Sequence, residues 1–160
     1  MKKIIYIALL MFGFSNLINA AEEGQFRGGI ELGWTPIEIE AEKTAQAIAN
    51  ASGSDVNVTY DKGAFVGRAF GEYGISSNLG LEMGYFQTSG AGATYKIGAD
   101  KASEEYDIHG IDLSLIIRSP EGFFGKLGMH SSTIDGSANV TIGGTEYAAT
   151  ASKTGSGILI

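Results

Sequence analysis

From Gly24 onward, apolar and polar residues alternate with a period of two, the pattern of strands that bury or expose one face. In Phe26-Arg27-Gly28-Gly29-Ile30-Glu31-Leu32-Gly33-Trp34 the even positions carry Phe, Gly, Ile, Leu and Trp, and the odd ones Arg, Gly, Glu and Gly. Phe65 to Ile75 repeats this, with Phe65, Ala69, Tyr73 and Ile75 on one parity and Arg68, Phe70 and Glu72 on the other. Leu79, Leu81, Met83 and Tyr85 oppose Gly80, Glu82 and Gly84. Ile111, Leu113, Leu115 and Ile117 oppose Gly110, Asp112, Ser114, Ile116 and Arg118. Phe123, Leu127 and Met129 oppose Phe124, Lys126, Gly128 and His130, and a sixth strand is expected to begin near Thr154.

Alternation alone suits a soluble sandwich as well as a membrane barrel. Three features favour an antiparallel up-and-down transmembrane β-barrel. The connections alternate between long (34–62, 87–106, 133–153) and short (76–78, 119–122), the asymmetry of outer-membrane barrels with short inner turns and long external loops. If the first strand runs outward, Phe26, Tyr73 and Phe123 mark the inner end of the apolar face and Trp34, Phe65 and Tyr85 the outer end, as two aromatic girdles. The polar face gathers Arg27, Arg68, Arg118 and Lys126 with Glu31, Glu72, Glu82 and Asp112, a balanced set that would fill a narrow interior as paired charges. Glu82 is therefore expected to have Arg68 or Lys126 within reach. The long segments read as exposed loops rich in Gly, Ser, Thr and Ala, with a short helix over 38–51 that Ser52-Gly53 ends. No internal repeat beyond the hairpin rhythm points to a solenoid.

Residues 1–20 have Lys2 and Lys3, an apolar run from Ile4 to Ile18 and then Asn19-Ala20 before an acidic start, the form of a cleaved secretory signal peptide. The domain is thus placed at 21–160, exported to the cell outer membrane. A net charge of −7 and no basic cluster argue against nucleic acid as a partner. The absence of cysteine excludes disulfides and thiolate metal sites.

Sharper chemistry is thin. His109 and His130, with Ser131, Ser132 and Asp135 nearby, allow a hydrolase to be sketched, but no nucleophile elbow or fixed triad order supports it. Asp107 and His109 are two ligand types without the rest of a coordination sphere. The Asn50, Asn57 and Asn139 glycosylation patterns read as chance. No catalytic residue, cofactor or metal is expected.

Gly63-Ala64-Phe65 through Phe70-Gly71-Glu72-Tyr73, and then Asn78-Leu79-Gly80-Leu81-Glu82-Met83-Gly84-Tyr85, resemble the second and third strands of the OmpA-like family of eight-stranded outer-membrane barrels. Weaker similarity continues through Leu32-Gly33-Trp34, Gly110-Ile111-Asp112-Leu113, Lys126-Leu127-Gly128 and Thr154-Gly155. The resemblance implies a barrel plugged by side chains, with Glu82 at the position of a lumenal glutamate and Lys126 at a basic position, and it implies no catalysis. Ile116 and Glu31 depart from basic positions of the family, so the pairing must be rearranged. It also implies a cell-envelope protein among outer-membrane lipid and lipopolysaccharide, inserted by assembly machinery. Two alternatives stand beside the structural barrel: an opacity-type adhesin whose loops bind a host or cell-surface ligand, and a secreted soluble β-barrel for a small apolar ligand. A porin-like conducting lumen is the sharper form of the barrel reading. With about five and a half strands in view, the chain is expected to be a truncated precursor that associates instead of giving a heat-modifiable monomer.

Overall fold

The computed structural model describes residues 21–36, 40–121 and 123–159. The signal-peptide segment, the start of the expected helix and Gly122 lie outside them. The elements are β1 (Phe26–Pro36), α1 (Ala41–Ser52), β2 (Asn57–Tyr60), β3 (Gly63–Ser76), β4 (Leu79–Thr88), β5 (Ala91–Ile97), β6 (Asp100–Arg118), β7 (Phe124–Ile142) and β8 (Thr145–Leu159). The eight strands among the described residues pair in one curled antiparallel sheet. The wall runs β1, β3, β4, β6, β7, β8 in sequence order, as an up-and-down meander. β5 continues the line of β4 after a break at Ser89-Gly90 and pairs with the outer half of β6, and β2 adds to β5.

The alternation decides the two faces. Phe26, Ile30, Leu32, Leu81, Met83, Ile111, Leu113, Met129 and Ile158 are exposed on the convex side, whereas Arg68, Glu72, Glu82 and Asp112 are buried on the concave side. In water such an apolar belt would be unstable, and in lipid it is the favoured exterior. Of the expected girdle residues, Phe26, Trp34, Phe65, Tyr73 and Tyr85 share its parity. Phe26 meets Tyr73 across β1 and β3 with ring centroids 4.7 Å apart, and Trp34 pairs with Phe65 in the same ladder. Tyr85 is also exposed on this side, and Phe123, just before β7, is exposed.

The reading of the long segments as loops is corrected. Residues 91–106 form β5 and the outer half of β6, residues 133–153 belong to β7 and β8, and β8 starts at Thr145, nine positions before the expected Thr154. Gly, Ser and Thr there are not loop filler. They alternate with Ile134, Ala138, Val140 and Ile142 along β7, and the glycines make two-residue turns. Gly143 and Gly144 both have positive φ (57° and 84°), as a tight hairpin twisting with its strands requires. Among the described residues there are six wall strands, the last of which reaches only Gly128 of β7, and two shorter rim strands.

α1 and β2, between β1 and β3, are packed as well. Ala41, Ala45 and Ile48 of α1 lie against Val58, Ala93, Tyr95 and Ala102, so the helix covers the concave side of the rim sheet. Gly53, in the left-handed conformation, closes the helix by donating its N–H to the Ala49 carbonyl. On the same concave side, between rim and charges, Val66, Phe86 and Ile108 with Ile134 form an apolar layer.

The belt and the rim share one face but not one solvent. Leu81→Arg is expected to cost about 2 to 4 kcal/mol in folding into lipid vesicles, whereas Ser137→Arg, on the same face beyond the belt, costs under about 0.5 kcal/mol. Equal penalties in a urea titration of vesicle-bound protein would contradict this boundary.

Candidate functional site

Sheet register brings all eight expected charged residues to the concave face. Glu31 stands directly opposite Arg68, and Arg27 opposite Glu72, across β1 and β3. Across β3 and β4, Glu72 stands opposite Glu82, a like-charge pair that is unfavourable unless each carboxylate is neutralised separately. The two turn to different partners. Glu72 Oε2 accepts from Arg27 Nε at 2.6 Å, and its Oε1 accepts from Arg118 Nη2. Glu82 Oε1 accepts from Arg68 Nη2 at 2.6 Å and from Lys126 Nζ at 2.5 Å.

Arg68 is the centre of the larger group. Its Nε and Nη2 form a bidentate pair with Asp112 at 2.8 and 2.6 Å, and Nη1 reaches Glu31 Oε2 at 2.8 Å. Both the guanidinium geometry and the charge favour such forked contacts. Arg68 is 3% exposed, Glu82 2% and Glu72 0%, so each charge depends on its partners rather than on water. Glu31, Arg27 and Lys126 are half-buried at the margin.

Several residues that periodicity alone did not single out make this possible. Arg68 reaches Asp112 over Gly84, where a Cβ would strike the guanidinium. Gly80 leaves room in the same way for Glu72 and Arg118. Phe70 stands between the two groups, with Arg68 Cζ 5.2 Å and Arg27 Cζ 5.9 Å from its ring centroid, within cation–π range. The available signal was a polar-parity aromatic beside glycines of the same parity on the next strand.

The histidines separate. His130 is on the concave face opposite Asp112. His109 is on the convex face, its Nδ1 3.3 Å from Asp135 Oδ2, both side chains substantially exposed. The sketched hydrolase residues are thus divided between two sides of the sheet. Among the described residues no cluster of three or more ligand-type side chains is arranged to hold a metal.

The family model of the OmpA-like transmembrane domain matches residues 21–159. The chain belongs to this family. It is an outer-membrane β-barrel protein, and the exposed belt is its lipid-facing side. No curated protein and no solved structure gives a significant match. In this OmpA-like domain the concave face is the lumen side.

Outside the belt, a carboxylate orders the rim. Glu104 accepts from Tyr95 at 2.6 Å and from Tyr106 at 2.8 Å. Burial first, then Glu104, pushes both phenols up, that of Tyr106 to about 12.

Two predictions follow from these contacts. Arg68→Met leaves three carboxylates short of a partner and is expected to destabilise by about 3 to 5 kcal/mol. Adding Glu82→Gln should recover part of this, with a coupling of about 0.5 to 3 kcal/mol in a double-mutant cycle; additive losses would contradict the shared contact. Because the folded-state pKa of Tyr106 is raised, its contribution to stability is complete below the ordinary value of 10.0 and is lost as pH rises through about 12. Phenolate absorbance should therefore show late-titrating phenols, one of which Tyr106→Phe removes, and an unchanged titration would refute the assignment.

Proposed function

We propose that this protein is a structural outer-membrane barrel whose lumen is plugged by the Arg68-centred charge network, and which holds a folded rim at the cell surface. The observation that supports the plug is the fourfold engagement of a buried guanidinium by Asp112, Glu82 and Glu31. Eight-stranded interiors are only wide enough for side chains to fill. The layer of Val66, Phe86, Ile108 and Ile134 adds a second, apolar obstruction next to the charges. A soluble carrier of an apolar ligand is disfavoured, since the charged face is the enclosed one and the apolar face is the exposed one.

The packed rim favours a second reading, that of an adhesin. α1 and β2 fix the segment between β1 and β3 onto β5 and β6, which presents a shaped surface to a host or neighbouring cell. In both readings the protein is non-catalytic and is exported by removal of residues 1–20.

Protein isolated from native membranes should begin at Ala21, stay with the outer-membrane fraction through urea and alkaline washes, and admit no small sugar in a liposome-swelling assay. Steady sugar uptake would overturn the plug, and extraction by the washes would overturn the barrel.

A further inference from the structure

The inner end of the concave face has a floor without side chains. Gly74 of β3 and Gly80 of β4 stand directly opposite each other, and the same row continues to Ile116 of β6, which is buried. The two glycines make room for different things. Over Gly80 lie the Glu72 carboxylate and the Arg118 guanidinium. Over Gly74 lies the backbone of Ala21 and Glu22, so that a Cβ at position 74 would run into the carbonyl oxygens of both residues.

The chain before β1 is shaped to reach that seat. Gly74 donates its N–H to the Gln25 carbonyl at 3.0 Å, one step beyond the Phe26–Tyr73 pair and so in continuation of the ladder between β1 and β3. There the chain reverses. Gln25 N–H donates back to the Glu22 carbonyl at 2.9 Å, closing a four-residue turn whose third residue, Gly24, has φ 77°, a conformation that suits glycine at this position. Gln25 Nε2 clips the same turn by donating to Glu22 Oε2 at 3.0 Å, and Gly24 N–H reaches the Gly74 carbonyl at 2.9 Å. Glu23 thereby bridges Gly74 in the parallel sense, although β3 pairs antiparallel with both of its strand neighbours. Two glycines with unrelated requirements serve one arrangement: Gly24 turns the segment back, and Gly74 leaves it a place to lie.

The outcome is burial at the inner mouth. Ala21 is 5% exposed, while Glu22, Glu23 and Gln25 are open to solvent. Glu72, two residues before Gly74 on the same face, is wholly buried with its arginine partners. Resting on the plugged-lumen reading, we propose that residues 21–25 are a strap that shuts the inner mouth of the lumen and keeps water from the Glu72–Arg118 pair. Its backbone bonds to the wall all fall on one residue, Gly74, so it opens as a unit without unpairing the strands.

The chain contains no cysteine, so a single introduced thiol reports access to the mouth. Ile116→Cys places it in the Gly74–Gly80 row, and Ser77→Cys, in an exposed turn, gives the rate of an open site. In outer-membrane fragments open on both sides, the thiol at position 116 should react with a membrane-impermeant thiosulfonate reagent far more slowly than the thiol at position 77. Gly74→Val removes the seat, and Gly24→Val, which lies outside the wall, breaks the turn because a β-branched residue is strained at positive φ. Each should raise the rate at position 116 about tenfold or more, the scale of losing one or two backbone hydrogen bonds from an opening equilibrium. The two changes act on opposite sides of the contact, so Gly24→Val decides the matter if Gly74→Val fails to assemble. Equal rates at position 116 with and without Gly24→Val would overturn the strap, as would a rate there that already matches position 77 in the protein with its glycines intact. Sugar uptake by the unaltered protein would instead overturn the plug reading, and it is measured independently of either thiol.

Discussion

The architecture depends on a single buried guanidinium. Arg68 can be enclosed only because Asp112, Glu82 and Glu31, from three other strands, meet it at 2.6 to 2.8 Å. An isolated charge there would cost several kcal/mol. That requirement constrains register more tightly than apolar packing does. A one-residue slip of β3 against β1 would turn Arg68 and Glu72 into lipid and Phe65, Ala69 and Tyr73 inward. It also constrains the neighbours, because the path to Asp112 exists only where position 84 has no side chain.

The charges divide into two groups rather than one ladder. Arg27 and Arg118 share Glu72, which leaves one positive charge in excess, while Arg68 and Lys126 share Glu31, Glu82 and Asp112, which leaves one negative charge in excess. The groups abut where Glu72 and Glu82 face each other, and Phe70 lies between the two arginines. The excesses cancel across the pair, so these eight charges are neutral together but polarised from one group to the other. Each carboxylate of the opposed pair has two cations, which is why direct like-charge opposition is tolerated.

Much of this was legible in the sequence and part was not, for a physical reason. Parity assigned the faces because in β1, β3, β4 and the inner halves of β6 and β7 one side meets lipid and the other meets charge, so the contrast between alternate residues is large. Ion-pair partners were not legible, since they depend on inter-strand register; Glu82 could be placed near Arg68 or Lys126, and it contacts both. The rim was misread as loops because its contrast is weak: Ser137, Asn139 and Thr141 alternate with Gly136, Ala138 and Val140, a small polar face against a small apolar one. Its glycines suggested irregular chain where they make two-residue turns.

Strand length explains how so weak a pattern still folds. A membrane span uses about 9 to 11 residues, yet β6 and β7 have 19 each and pair continuously from Arg118–Phe124 to Lys101–Thr141. The inner half of this ladder is held by lipid on one side and by the charge network on the other. Once that register is set, the outer half inherits it without a hydrophobic face of its own, and two-residue turns close the hairpins at small entropic cost. α1 then covers the concave side of the extension with Ala41, Ala45 and Ile48, while the convex side carries polar and charged groups such as Thr94, Ser103, Glu105 and Asn139. The rim is thus specified from below: the register that satisfies Arg68 also fixes where Thr94, Ser103 and Asn139 align.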